Sequence, residues 1–505
     1  LAFAAFFSGF EAVPLLVTMI MAVAAFVIIL LSSLGLRART VSTGISVAAF
    51  VISLALLLGK VLGYLGPILG PQGNSVFAQD WISYLFGVAI LIVSILVALS
   101  SEDFLANIPN ASSFFALLIF TTIGSVLLVF STDLLMIFVA WELMSIPSYV
   151  LTGFKKKDQE SNEAAVKYFL ISAFASAVLL YGISLIYVIT GTTNIYQILS
   201  PASSSGSGIT PIAVLALSFV IAGFGIKLSA VPFHMWIPDA YQGAPTVVSA
   251  LLSAGTKGAT FAPAARIFFV LFAGSAFQTD WSTAFAVLAL LSMTVGNFAA
   301  LTQRSVTRIL AYSSIGHGGY ILIGFAAGTA YGLTASFFHI LNYATMQTCA
   351  FLAAALIIRE VGKDDLLAFD GVGRRMRIAP IALTLSLLAL GGFPPLNGFW
   401  SKVFLFYSAI GSPLNLGWLA IAGIINSFVS IAFYLRIVKH MYVDQPQSSS
   451  KLFESNGFRV ALIIASLIIV GTGVYPGPVI QFASTTATSF FSQISSASHV
   501  LPAIP

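Results

Sequence analysis

Between residues 13 and 482 the chain consists almost entirely of apolar runs about 20 residues long, separated by short polar stretches. A run of that length crosses the hydrocarbon of a bilayer as one α-helix, because only a helix satisfies its own backbone groups there. Fourteen runs can be marked: 13–34, 41–62, 81–100, 113–130, 133–151, 166–190, 212–243, 246–270, 281–300, 309–327, 331–357, 380–410, 416–440 and 459–482. The chain is 58% hydrophobic and only 8% charged, whereas a soluble domain carries about 25% charged residues. It therefore has too little polar surface to wrap a water-soluble globule. A single cysteine, Cys349, excludes a disulfide framework and any all-cysteine iron–sulfur or zinc site within the chain. No strand–GxGxxG–helix unit or phosphate-cradling glycine loop is present.

The charges test the span count independently. With the N-terminus outside, the inner loops contain Arg37, Arg39, Lys155–Lys157, Arg304, Arg308, Arg359, Lys363, Arg374, Arg375, Arg377, Arg436, Lys439, Lys451 and Arg459. The outer loops, including the Ser/Gly-rich stretch at 200–208, and the tail after 483 contain none. This is the positive-inside pattern, and it fails if one central span is missed or added. The formal net charge of +5 thus reads as orientation, not as a nucleic-acid surface. Lys60 and Arg266 lie near outer helix ends, where long side chains snorkel to the interface.

Four basic residues remain inside the apolar runs: Lys167, Lys227, Lys257 and Lys402. Glu142 is the one acid in the middle of a span. Each central charge costs on the order of 3 kcal/mol, so an intramembrane ionisable group is a functional candidate by default. Glu142, Lys227, Lys257 and His317 lie half-way along spans five, seven, eight and ten, and Lys402 follows a break in span twelve, which places all five near one plane. Pro232 and Pro238 in "KLSAVPFHMWIP" and Pro394 and Pro395 in "GGFPPLNG" should unwind spans seven and twelve. Broken helices at corresponding places in two halves mark an inverted-repeat transporter. The expected fold is all-α and polytopic, with two inverted five-helix repeats (spans 4–8 and 9–13) and discontinuous spans 7 and 12. The expected divisions are an N-terminal segment 1–112, repeats 113–272 and 273–440, and span fourteen with a tail, 441–505.

Each residue also has a structural reading. Lys402 can cap carbonyls exposed at its break. Lys227 and Glu142 can form a fixed ion pair, though such pairs return little for their desolvation. His317, beside "GG", and His339 can be packing histidines, and His234 a gate or loop contact. Lys167 follows Glu163 by four residues, so a local pair competes with a pathway role.

The stretches "WELMSIPSYVLTGF", "NEAAVKYFLISAFASAVLLYGISLIY", "GFGIKLSAVPFHMWIPDAYQGAPTVVSALLSAGTKGA" and "GRRMRIAPIALTLSLLALGGFPPLNGFWSKVFLF" resemble the antiporter-like membrane subunits of respiratory complex I, the NADH-quinone oxidoreductase family, and most closely the N-type or subunit 2 member. The resemblance runs from about residue 113 to 440. It implies that Glu142 modulates Lys227 at the broken helix, that Lys257 is the connecting lysine, that Lys402 is the terminal lysine, and that His317 lies on the same hydrated axis. The longer sister subunits usually carry a histidine and a lysine in span eleven. Here "FFHILNYATMQTCAFLAAA" has Met346 and Gln347 and no lysine, which favours the N type and leaves any relay there to His339.

The expected function is proton translocation along a row of Lys, Glu, His and water, driven by electron transfer to quinone in other subunits. An ammonium in a poorly hydrated place holds its proton less firmly, and a carboxylate that approaches tightens the hold. The expected setting is an energy-coupling membrane, prokaryotic or organellar. The chain itself is expected to bind no cofactor and no metal. Quinone, flavin or deazaflavin and iron–sulfur clusters belong to partners: adjacent antiporter-like and small membrane subunits and a soluble redox arm. The alternatives are a Na+/H+ antiporter, an energy-converting hydrogenase subunit, and a membrane scaffold.

Overall fold

A computed structural model of the chain describes residues 12–35, 39–68, 70, 75–108, 110–198, 211–272, 278–446 and 450–497. The outer stretch 200–208, Arg37 and the end of the tail lie outside them. Twelve helices among the described residues are long and apolar enough to cross a membrane: Val13–Ser33, Arg39–Val61, Trp81–Phe104, Ala111–Phe130, Leu134–Thr152, Gln159–Thr190, Pro211–Leu228, Gln278–Thr302, Val306–Ala327, Ala330–Val361, Gly417–Tyr442 and Asn456–Val474. Two further crossings are made in pieces. Span eight runs through Thr246–Ala250, a wider π-helical stretch Leu251–Thr256, then Lys257–Arg266 and a second π stretch Ile267–Leu271. Span twelve is Ile378–Gly391 and Asn397–Ile410. The fourteen crossings match the expected set, and the chain is a multi-pass membrane protein.

Short polar residues set the helix ends. Asp133 accepts from the amides of Leu135 and Met136 at 2.9 and 3.1 Å and so starts span five. Gly191 and Gly328 take left-handed backbone past the ends of spans six and ten, the usual way to close a helix. Spans ten and eleven form the centre, with 94% of their apolar windows buried, against 28% for span one and 33% for span fourteen. The outer helices instead carry large exposed apolar side chains such as Phe26, Phe174, Phe428 and Leu467, as lipid-facing surfaces do.

Two expectations need correction. Span fourteen ends at Val474, not 482, because Pro476 interrupts it, and a further helix, Gly477–Ala497, follows. That helix buries Ala483, Ala487 and Phe490. It sets Phe482 against Trp81 and Phe491 against Phe269, at the outer ends of spans three and eight. Its Ser/Thr-rich sequence hid an apolar stripe at helical spacing. Lys60, expected to snorkel, is buried with its Nζ donating to the Leu65 carbonyl at 3.1 Å, and Arg266, expected to do the same, is fully buried. Its guanidinium meets Asp80 at 2.6 Å and also donates to Ser83 Oγ (2.8 Å) and the Val129 carbonyl (2.5 Å). The segment leading into span three folds over the outer end of span eight and closes off the interface. Removing one partner of a buried pair costs about 3–5 kcal/mol, so this pair locks spans three, four and eight together.

Candidate functional site

Span seven breaks one residue after Lys227–Leu228. The Ala230 amide returns to the Gly225 carbonyl (2.9 Å) and the Ser229 amide to Ile226 (3.1 Å), with Ser229 at φ +58°. This is a Schellman closure in which serine takes the place glycine usually holds. The Val231 amide is met by Ser292 Oγ of span nine at 2.9 Å, and Trp236 Nε1 covers the Ile226 carbonyl at 3.1 Å. The helix resumes at Trp236. Pro232 thus lies in the unwound turn, whereas Pro238 sits in the first turn of the resumed helix, where a missing N–H costs nothing; it restarts the helix instead of breaking it.

Lys227 is buried. Its Nζ donates to Ser145 Oγ at 2.7 Å and lies 5.5 Å from the ring centres of both Trp141 and Tyr168. Glu142, one turn from Ser145 on span five, accepts a short hydrogen bond from Ser176 of span six. No ion pair joins Glu142 and Lys227 among the described residues, so the fixed-pair reading is not what is seen. Ser145 and two aromatic faces solvate the ammonium, with the carboxylate on the neighbouring turn.

Lys257 stands where the π-helical stretch of span eight returns to α-helix, and it is buried. Its Nζ donates to the Ser314 carbonyl at 2.6 Å and to Ser314 Oγ at 3.3 Å. Gly318 leaves the room it needs. A Cβ there would lie 3.0 Å from Lys257 Nζ and 3.5 Å from the Leu228 carbonyl, so the first break and Lys257 converge on one bare Cα. Tyr343 donates to Ser314 Oγ at 2.8 Å, and its ring stacks on His317 with 5.3 Å between centres.

The second break repeats the first closure. The Phe393 amide returns to the Leu388 carbonyl (3.1 Å) and Gly392 to Ala389 (2.9 Å), with Gly392 at φ +89°. Pro394 and Pro395 fill the turn and span twelve resumes at Asn397. The last carbonyl, Gly391, is left over, and Lys402 Nζ donates to it at 3.1 Å and to Ser427 Oγ at 2.8 Å, above the Tyr320 ring at 4.9 Å. The capping reading of Lys402 is therefore realised in the geometry.

His317 and His339 form one unit. His317 Nδ1 lies 3.1 Å from His339 Nε2, His339 Nδ1 lies 2.9 Å from Ser401 Oγ, and His317 Nε2 lies 3.3 Å from the Tyr434 hydroxyl, itself 2.5 Å from Ser313 Oγ. Ser401 donates to the Gly398 carbonyl at 3.1 Å. Its only hydrogen being so used, His339 Nδ1 must be its donor when both rings are neutral. Each earlier role then follows: His317 donates to His339, Tyr434 to His317, and Ser313 to Tyr434. His339 is thus a full member of the cluster instead of a packing histidine. Span eleven joins the cluster through His339 and Tyr343, while Gln347 is spent on the Leu310 carbonyl at 3.0 Å.

The accessory residues lie elsewhere. Lys167 pairs with Glu163 at 2.7 Å, the local pair expected, and with Asp239 at 2.8 Å, which Arg308 also holds at 2.8 Å. This cluster ties the resumed half of span seven to spans six and ten at the inner side. The half-buried His234 is in the unwound segment, and its ring makes no hydrogen bond to the buried lysines or histidines. Asp239, Ser145, Ser314, Tyr343, Ser401, Ser427 and Tyr434 were not singled out from sequence. Hydroxyls are too common in these spans to nominate any of them, although Ser145 lies three residues from Glu142 and so shares its face.

Three buried lysines with neutral hydrogen-bond acceptors, two broken helices and a paired-histidine cluster make up the candidate site. The family model for NADH:quinone oxidoreductase/Mrp antiporter transmembrane proteins matches residues 131–430, which include the three lysines, both breaks and both histidines. The chain belongs to this family. It is an antiporter-like member of the N type. The NADH-quinone oxidoreductase subunit N of Trichlorobacter lovleyi is 38% identical, over 83% of this chain and 85% of its own length. The F420H2 dehydrogenase subunit N of Methanosarcina mazei is 37% identical, over 82% and 85%. Among solved structures, a chain of respiratory complex I from Thermus thermophilus with bound aureothin superimposes with a TM-score of 0.77 at 29% identity, covering 93% of this antiporter-like chain and 99% of that one.

Proposed function

We propose that this chain is a proton-translocating membrane subunit of a complex I-type redox-driven pump, and that Glu142, Lys227, Lys257, His317, His339 and Lys402 carry its protons. The observation that supports this most is the bonding of the lysines. Lys227, Lys257 and Lys402 are each 3% exposed, and among the described residues each donates to hydroxyls or carbonyls and not to a carboxylate. Such an ammonium can release its proton without stranding a bonded anion. A lysine locked into a buried ion pair could not, because separating the pair leaves an uncompensated charge.

In this reading Glu142 sets the occupancy of Lys227. Turned to Ser176, the carboxylate leaves Lys227 on neutral partners; swung toward Ser145, it holds the charge there. Protons pass from Lys227 past Gly318 to Lys257, along Ser314 and Tyr343 to the histidines, and from Ser401 to Lys402, with water bridging the remaining gaps. Electron transfer to quinone, and the flavin or deazaflavin and iron–sulfur groups it needs, are assigned to partner subunits of a soluble arm and its neighbours in the membrane. The names of the relatives, subunits of quinone oxidoreductases and of an F420H2 dehydrogenase, support that division.

The test is coupled pumping in vesicles carrying the intact complex. Lys227→Ala and Glu142→Ala should lose most proton translocation while electron transfer assembles normally. Unchanged proton-to-electron stoichiometry in both variants rejects the reading. The family description also includes Mrp antiporters; sodium–proton exchange by vesicles without any electron donor would favour that alternative.

A further inference from the structure

At the inner surface, where span four begins and spans five and six are joined, the structure has a cavity of about 660 Å³. Its wall is apolar: Ile108, Leu117, Val150 and Phe154 line it. Its rim is basic, with Lys155, Lys156 and Lys157 in succession. None of the three lysines takes part in an ion pair among the described residues. Asp158, on the same rim, uses its carboxylate to cap the Glu160 amide at 3.1 Å. A second cavity of about 240 Å³ shares Ile108 and Asn110 and adds Arg39, whose buried Nε has no hydrogen-bond partner among the described residues. Between them starts the 20-residue helix Ala111–Phe130, whose N-cap Asn110 has left-handed backbone and makes no side-chain cap; the Ser113 amide returns to the Asn110 carbonyl at 3.0 Å, and among the described residues no side chain covers the Ala111 and Ser112 amides.

Orientation alone explains basic residues in an inner loop. It does not explain an apolar hollow beneath them, an unpartnered buried guanidinium nitrogen and an uncapped helix N-terminus converging on one place. Basic pockets between helices at this depth suit phosphate-bearing lipid headgroups, and uncapped N-terminal amides favour an anion. We infer that these adjacent cavities hold one anionic phospholipid, its phosphate held by Lys155–Lys157, Arg39 and the start of span four, and its acyl chains against Leu117, Val150 and Phe154. A soluble phosphate would have no use for the apolar wall.

The experiment uses the intact complex, delipidated in detergent and titrated with phosphatidylglycerol, with phosphatidylethanolamine as control, while bound lipid is counted by native mass spectrometry. The wild type should take up one tightly held phosphatidylglycerol that the triple variant Lys155→Gln/Lys156→Gln/Lys157→Gln binds at least about tenfold more weakly. The triple arginine variant should retain it. Leu117→Trp, which fills the hollow and leaves the charges, should also expel it. Equal binding in wild type and both weakening variants overturns the assignment, as does equal uptake of phosphatidylethanolamine. Complete displacement by inorganic phosphate would mean an anion site without lipid. Loss of a neighbouring protein subunit from the lysine variant, with lipid counts unchanged, would mean a protein contact instead.

Discussion

The two broken helices close in the same way and use their lysines differently. At each, two amides return to the preceding turn and the last carbonyl is left over: Leu228 at the first break and Gly391 at the second. At the first, the lysine lies just upstream of the break, turned to Ser145, with a carboxylate on the next turn of span five. At the second, Lys402 lies downstream and is itself the partner of the leftover carbonyl. Among the described residues no carboxylate bonds to it, and two histidines occupy the space between it and Lys257. One break can therefore be biased by moving a negative charge. The other is bonded to neutral groups among the described residues, and in the proposed reading it responds to whether a proton arrives. In the proposed reading the same backbone device thus serves a modulated end and a passive end.

The largest effect that bears on this contrast is expected from Lys402→Ala. If the two breaks act in series, it should reduce coupled pumping about a hundredfold or more, as severely as loss of Lys227. Normal pumping measured in vesicles would make the second break purely structural. Next comes His339→Phe, which keeps the volume and removes both ring nitrogens from the His317–Ser401 link. Proton uptake should fall about tenfold with thermal stability little changed; an unaltered rate would return His339 to a packing role and leave Lys402 without a visible feeder.

The smallest effect separates the two closures themselves. Gly392→Ala places a Cβ at φ +89° and 3.1 Å from Lys402 Cδ, so it should cost about 1–2 kcal/mol in unfolding of the purified complex. Ser229→Gly removes a strained serine and should leave stability unchanged or raise it by a few tenths to about 1 kcal/mol. The opposite ranking would mean that the closures are not equivalent.

Much of this arrangement was legible in the sequence because charge is scarce in it. When only a handful of ionisable groups sit inside fourteen apolar runs, Glu142, Lys227, Lys257, His317 and Lys402 name themselves, and prolines beside two of them place the breaks. What was not legible depends on register between distant helices. Arg266 and Asp80 are 186 positions apart, and each alone looks like an ordinary residue near a helix end. His339 reaches Ser401 across 62 positions, a fact set by how spans eleven and twelve pack, not by either motif. The helix Gly477–Ala497 escaped for another reason: its stripe of Ile480, Ala483, Ala487, Phe490 and Ile494 was readable, but serine and threonine between them diluted the apolar run.

The row from Ser313 through Tyr434, His317 and His339 to Ser401 has one further consequence. Every hydrogen in it points the same way, toward Gly398. A proton handed along such a row leaves each donor facing backward, like a turnstile that has clicked once. The three hydroxyls can swing back freely, but the two stacked imidazoles must trade their hydrogens between nitrogens before another passage is open. If protons take this row, as proposed, a built-in pause of this kind makes leakage slow without any door having to shut.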